Sequence, residues 1–156
     1  MNGAAARLIK AGVLTGVIDG LFSGVLSAFF YGSTVARLFQ GVAATLLGPD
    51  AMTGGTRTAA IGLAMHFCVA FGWSAVFLLI GMRLSLVRRV LESPFGALKV
   101  AAIYGPLIWM VMSLVVIPAL TGRPPAIAYR WWVQFFGHIP FVALPIVSTI
   151  GRRRAI

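Results

Sequence analysis

Three side chains in a chain poor in polar chemistry could handle a proton: Asp19, His66 and His138. Asp19 sits in "TGVIDGLFSG", inside an apolar run over residues 11–31 with no other charge, and is one of only 3 acidic residues among 156. A carboxylate at the centre of an apolar helix costs about 2.5–3.5 kcal/mol to insert into a bilayer, so such residues are paired, neutralised or turned toward a cavity. Away from water, a carboxyl and an imidazole both lose the hydration that supports their charge. A single proton shared between them satisfies both, which is the chemistry a relay needs.

Gln134, one turn before His138, and Tyr104 complete a candidate polar site of Asp19, His66, His138, Gln134 and Tyr104, with Ser113 nearby in sequence. Such a set admits three uses. Asp19 with either histidine can be a structural hydrogen bond that fixes helix register. The set can line a pathway for a proton, an ion or a small solute. Two histidines at equal depth can ligate haem, or a metal together with Asp19; spacing across separate helices says little for that, and no cofactor or metal is expected. The chain contains no HExxH, GxSxG, Walker A or GxGxxG pattern, so no enzyme is expected either.

The elements that must position these residues follow from composition. The chain is 60% hydrophobic and 10% charged, with a mean hydropathy of +0.96. That balance lies outside the range of soluble domains and inside that of membrane proteins. Four apolar runs of spanning length occupy residues 11–31, 59–81, 98–120 and 131–150. The reading is an all-α integral membrane protein, a single domain over residues 1–156 built as a four-helix transmembrane bundle. Arg7 and Lys10 precede the first run as in a signal peptide, but the run is long, carries Asp19 and leads into further spans, so a retained first helix is expected.

Between the first two spans, residues 34–48 place Val35, Leu38, Phe39, Val42, Leu46 and Leu47 at helical spacing, with Arg37, Gln40, Ala44 and Thr45 opposite. This predicts an amphipathic helix in the membrane interface, serving as a connector or, less simply, as a lid over the mouth of the bundle. Of the 13 Lys and Arg residues, Arg7, Lys10, Arg83, Arg88, Arg89, Lys99, Arg152, Arg153 and Arg154 flank one side, and Arg37, Arg57, Arg123 and Arg130 the other. The positive-inside rule then places both termini in the cytoplasm. The same distribution assigns the net charge of +10 to topology and to anionic headgroups rather than to nucleic acid. The single cysteine, Cys68, excludes an intramolecular disulfide.

Gly12, Gly16, Gly20 and Gly24 recur every four residues along the first span. They draw a bare face where another backbone can approach, either the second span or another copy of the chain. The second span repeats the spacing as Gly62, His66, Ala70 and Ser74. At about 100° per residue, Asp19 falls roughly 20° from Gly12, on the edge of the glycine face and turned into protein. Pro106, Pro140 and Pro145 predict bends with freed carbonyl oxygens. A weak repeat links "LIKAGVLTG" to "ALKVAAIYG" and "HFCVAF" to "HIPFVAL", as in two hairpins arranged in tandem.

The segment "ARLFQGVAATLLGPDAMTGGTRTAAIGLAMHF", behind a glycine-rich helix that carries an aspartate, resembles small four-span bacterial inner-membrane proteins described as YagU-like. Arg37, Gln40, Gly48, Gly54, Gly55 and His66 are its distinctive positions. The resemblance implies a bacterial cytoplasmic membrane and no established activity, so it carries no functional residue over. The functional expectation is a transport-related protein with an intramembrane Asp/His pathway. The alternative is a non-catalytic scaffold that binds partners or assembles through its glycine ribbon.

Overall fold

The computed structural model describes residues 3–151, and among these every regular element is helical. Arg152, Arg153 and Arg154 of the charge count lie outside the described residues. Among the described residues four helices are long and apolar enough to cross a membrane: α1 (Gly3–Phe30), α3 (Gly55–Arg83), α5 (Gly96–Thr121) and α6 (Tyr129–Gly151). Two shorter ones connect them, α2 (Val35–Leu47) and α4 (Ser85–Leu91). The long helices satisfy their own backbone groups, the condition for any segment surrounded by hydrocarbon. They also overrun the apolar stretches; α1, for example, already includes Arg7 and Lys10.

Local signals delimit α2 sharply. The Thr34 hydroxyl accepts a hydrogen bond from the Arg37 amide at 3.1 Å and caps the first turn. At the other end Gly48 takes φ +83°, a left-handed conformation that costs a residue without a Cβ nothing, and Pro49 follows.

The bundle is a ring with one seam missing. α1 is flanked by α3 and α6, and α6 packs on α5, but α5 and α3, which would close the ring, make almost no backbone contact. At the α4 end this seam is sealed by side chains. The Tyr104 hydroxyl donates to the Trp73 carbonyl at 2.7 Å, and the rings of Trp73 and Phe77 lie against the Tyr104 ring. Around them Ala11, Ala101, Ile108, Ile146, Val147 and Ile150 form an apolar core. At the α2 end the seam is bridged instead by α2, which packs along α3 and reaches the last turns of α5.

α5 and α6 remain helical at their prolines. Both helices run through Pro106 and through Pro140 and Pro145, with wider π-type turns at Val111–Val116, just before Pro118, and at Ile139–Ala143. Such turns let a helix absorb the missing amide of a proline without breaking.

Candidate functional site

His66 lies where α3 crosses the Gly16 turn of α1. Its Nε2 is 2.9 Å from the Gly16 carbonyl oxygen, and its Nδ1 is 3.9 Å from Oδ2 of Asp19. A carbonyl can only accept, so Nε2 carries the hydrogen and Nδ1 of a neutral ring is a lone pair. That lone pair would face a carboxylate oxygen, acceptor against acceptor, unless one proton resides on the carboxyl or on the ring. The separation is that of an ion pair rather than a hydrogen bond. Oδ1, the other Asp19 oxygen, is buried with no hydrogen-bond partner. Depth counting leaves Asp19 about 7 Å from the histidine level; helix packing brings its carboxylate within 3.9 Å of His66.

His138 reaches the same place from α6. Its Nδ1 is 2.7 Å from the Gln134 carbonyl oxygen one turn earlier, which fixes the tautomer and leaves Nε2 as the ring's acceptor. The ring is buried and leans on the Trp109 ring of α5, centroids 4.8 Å apart. Trp109 Nε1–H is itself buried without a partner. The Gln134 amide reaches Ser23 Oγ of α1 at 3.5 Å, a weak tie between the helices that carry Asp19 and His138.

These groups share a cavity of about 460 Å³ that occupies the missing seam between α3 and α5. Asp19, Ser23, His66, Gln134 and His138 form its polar part; Leu38, Phe39 and Val42 of α2, Met65 and Val69 of α3, and Met112 and Val116 of α5 form apolar walls. A second cavity of about 750 Å³ adjoins it toward the α2 end, sharing Thr45, Leu46, Trp109 and Gln134 and lined also by Arg123 and Arg130. Leu38, Phe39, Val42 and Leu46 of α2 thus cover one side of the site.

Two candidate residues belong elsewhere. Tyr104 does not line the cavity; it sits in the core at the α4 end, its hydroxyl committed to Trp73. Its spacing along α5 turns it toward Trp73 and Phe77 of α3, a direction that depends on the rotation of α5. Ser113 lines the second cavity, donating to the Trp109 carbonyl at 2.7 Å and accepting from Trp131 Nε1 at 3.0 Å.

The glycine face of α1 is occupied within the chain, though not by a backbone as expected. The notches at Gly12 and Gly16 hold the Phe71 and Phe67 rings of α3, Gly20 faces His66, and Gly24 faces Val35 of α2. Backbone contact occurs instead at Gly62, which abuts the Phe39 carbonyl and the Ala43 amide of α2. It occurs again at Gly105, where an added Cβ would lie 2.6 Å from the His138 carbonyl oxygen. Gly105, Trp109 and Phe39 are the site residues sequence reasoning passes over. The clue to Gly105 was the repeat: Gly16 and Gly105 are its matching glycines, His66 and His138 its matching histidines. Each glycine meets the histidine of its own hairpin.

Among the described residues no three or more His, Cys, Asp or Glu are arranged to hold a metal ion. Comparison with protein-family models, with curated proteins and with solved structures returned no match for this chain.

Proposed function

We propose that the protein is a multi-pass protein of a bacterial cytoplasmic membrane, with both termini on the cytoplasmic side, that takes part in transport through the Asp19–His66–His138 site. The observation that carries this reading is convergence: one cavity takes Asp19 and His66 from the first hairpin and His138 and Gln134 from the second, and leaves Asp19 Oδ1 unpaired. Transporters built from repeats place their sites at the junction of the halves, deep in the bilayer. The core beyond Asp19 is closed at the α4 end, so the cavity suits an occluding binding site with access from one side rather than an open channel.

In this mechanism one proton is held between Asp19 and His66. His138 stands as a second acceptor, and Gln134 fixes the His138 ring through its carbonyl. A solute that exchanges a proton with the carboxyl changes the charge of the cavity, and that change drives the rearrangement of α3 against α5. α2 lies in the outer interface as the roof. The basic turn of α4, with Arg88 and Arg89 beside exposed Leu84 and Leu86, meets anionic headgroups on the inner side. On the residues of segment 36–67 we also place the chain beside the YagU-like proteins.

The competing reading is a scaffold that assembles through the glycine ribbon. Those glycines are covered by α3 and α2 of the same chain, so assembly would need another face. Reconstitution into liposomes with an internal pH dye separates the two. Transport predicts proton movement on imposing a gradient, abolished in Asp19→Asn and impaired in His66→Ala. If both variants match the unmutated protein, the proton-relay reading falls.

A further inference from the structure

The cavity has a chemical character narrower than "polar site". Among the described residues its polar atoms without a protein partner include two acceptors, Asp19 Oδ1, which is orphaned, and His138 Nε2, left over when Nδ1 binds the Gln134 carbonyl, against one donor, Trp109 Nε1–H. Among the described residues no lysine or arginine lines it, in a chain whose net charge is +10, so of these residues Asp19 alone brings the cavity a formal charge besides the imidazoles. Two aromatic side chains, Phe39 and Trp109, belong to its lining and lie against His66 and His138 respectively. Its volume of about 460 Å³ lies within the range of small-molecule sites.

Its surroundings are as specific. The α3 side of the wall includes Cys68 and Val69, which are also exposed on the surface of the bundle, as is Leu46 of α2. The cavity thus opens sideways between α3 and α5, through an apolar rim set where hydrocarbon would lie. The aqueous approach at the α2 end passes Arg123 and Arg130 instead. A hydrated cation is repelled on that route, whereas a molecule dissolved in the bilayer meets only apolar side chains.

Resting on the transport reading above, we infer that the cavity binds a lipophilic amine as its ammonium form, admitted sideways from the bilayer between α3 and α5. The neutral amine partitions into lipid and reaches the polar end of the cavity. Its nitrogen takes the proton held by the Asp19–His66 pair; the bond from that proton to the carboxyl oxygen or ring nitrogen breaks as the new N–H bond forms. The product is an ammonium beside a carboxylate, its N–H donating to Asp19 Oδ1, the acceptor that lacks a partner. The Phe39 and Trp109 faces add cation–π attraction, and the alkyl chain lies along Met65, Val69 and Val116.

The test uses the full chain in nanodiscs of neutral phosphatidylcholine with tritiated N,N-dimethyldodecylamine, and with dodecanol and dodecanoate as competitors of equal chain length. Saturable binding is expected at one amine per chain, displaced by unlabelled amine and not by the alcohol or the carboxylate. Asp19→Asn should weaken it at least about tenfold, the loss of a charge-assisted hydrogen bond, while Asp50→Asn leaves it unchanged. Val69→Trp, which fills the side opening, should slow association. Equal displacement by dodecanol or dodecanoate, or unaltered binding in Asp19→Asn, overturns the ligand class; an unaltered association rate in Val69→Trp overturns the route. If Asp19→Asn does not fold, the competition series on the unmutated protein decides alone. Proton movement that needs Asp19 without amine binding would sink this inference and leave the transport reading standing; amine binding without proton movement would do the reverse.

Discussion

At the α4 end of the bundle Phe77, Ile108, Ile146 and Ile150 are exposed by 2% or less, whereas at the α2 end the same four long helices enclose a cavity of about 460 Å³. The two ends use the same helices and differ in one seam. Where Tyr104 bridges to Trp73 and Phe77, α3 and α5 are joined by side chains. One to two turns further along, Trp109 and Met112 face Met65 and Val69 across open space, and Asp19 and both histidines collect beneath α2. The seam between α3 and α5 is packed at one level of the bundle and open at the next. A polar cluster with an orphaned carboxylate oxygen persists because the packed end holds the helices in place around it.

That contrast can be broken most severely at the glycines that allow backbones to touch. Gly105→Leu must push a side chain into the His138 carbonyl, and Gly62→Leu into the Phe39 carbonyl. Each is expected to cost about 3 kcal/mol or more and to give poorly folded protein in thermal unfolding monitored by size exclusion. A next, smaller effect separates the two ends directly. Phe77→Ala should destabilise by about 3 kcal/mol, since it opens a hole in a filled core, whereas Leu46→Ala at the cavity rim, 60% exposed, should cost less than about 1 kcal/mol. Equal losses in the two variants would mean that the cavity end is packed as tightly as the other. The smallest effect sharpens the assignment of Tyr104. Tyr104→Phe removes only its bond to Trp73 and should lower stability by about 0.6–1.5 kcal/mol while leaving the proposed proton movement unaffected. Loss of proton movement at full stability would return Tyr104 to the site.

Much of this architecture was legible in the chain. Apolar runs of spanning length announce four long helices, because hydrocarbon leaves a backbone little choice but to bond to itself. Thr34 and the Gly48-Pro49 pair bracket α2 by local cap chemistry, which depends on neighbours a few residues away. The proximity of Asp19 to the glycine face also follows from helical periodicity alone. What partner each face meets does not. The α1 glycines read as a place for a backbone and receive the Phe67 and Phe71 rings; Gly105, marked in the sequence only by the weak repeat, is the close approach to the His138 carbonyl. Tyr104 and Trp109 lie five residues apart on α5, and helix rotation alone sends one to the core and the other to the cavity.

That a costly carboxylate and two histidines are carried on separate apolar helices can be read from the chain, because residue type and helical period are local properties. That α3 and α5 stand apart at one end, that α2 covers the gap, and that Asp19 and His66 come within 3.9 Å there while one carboxylate oxygen stays unpaired emerges from the packing. Those outcomes depend on the relative rotation and tilt of helices, which many small contacts between distant residues set together and no single stretch of chain encodes.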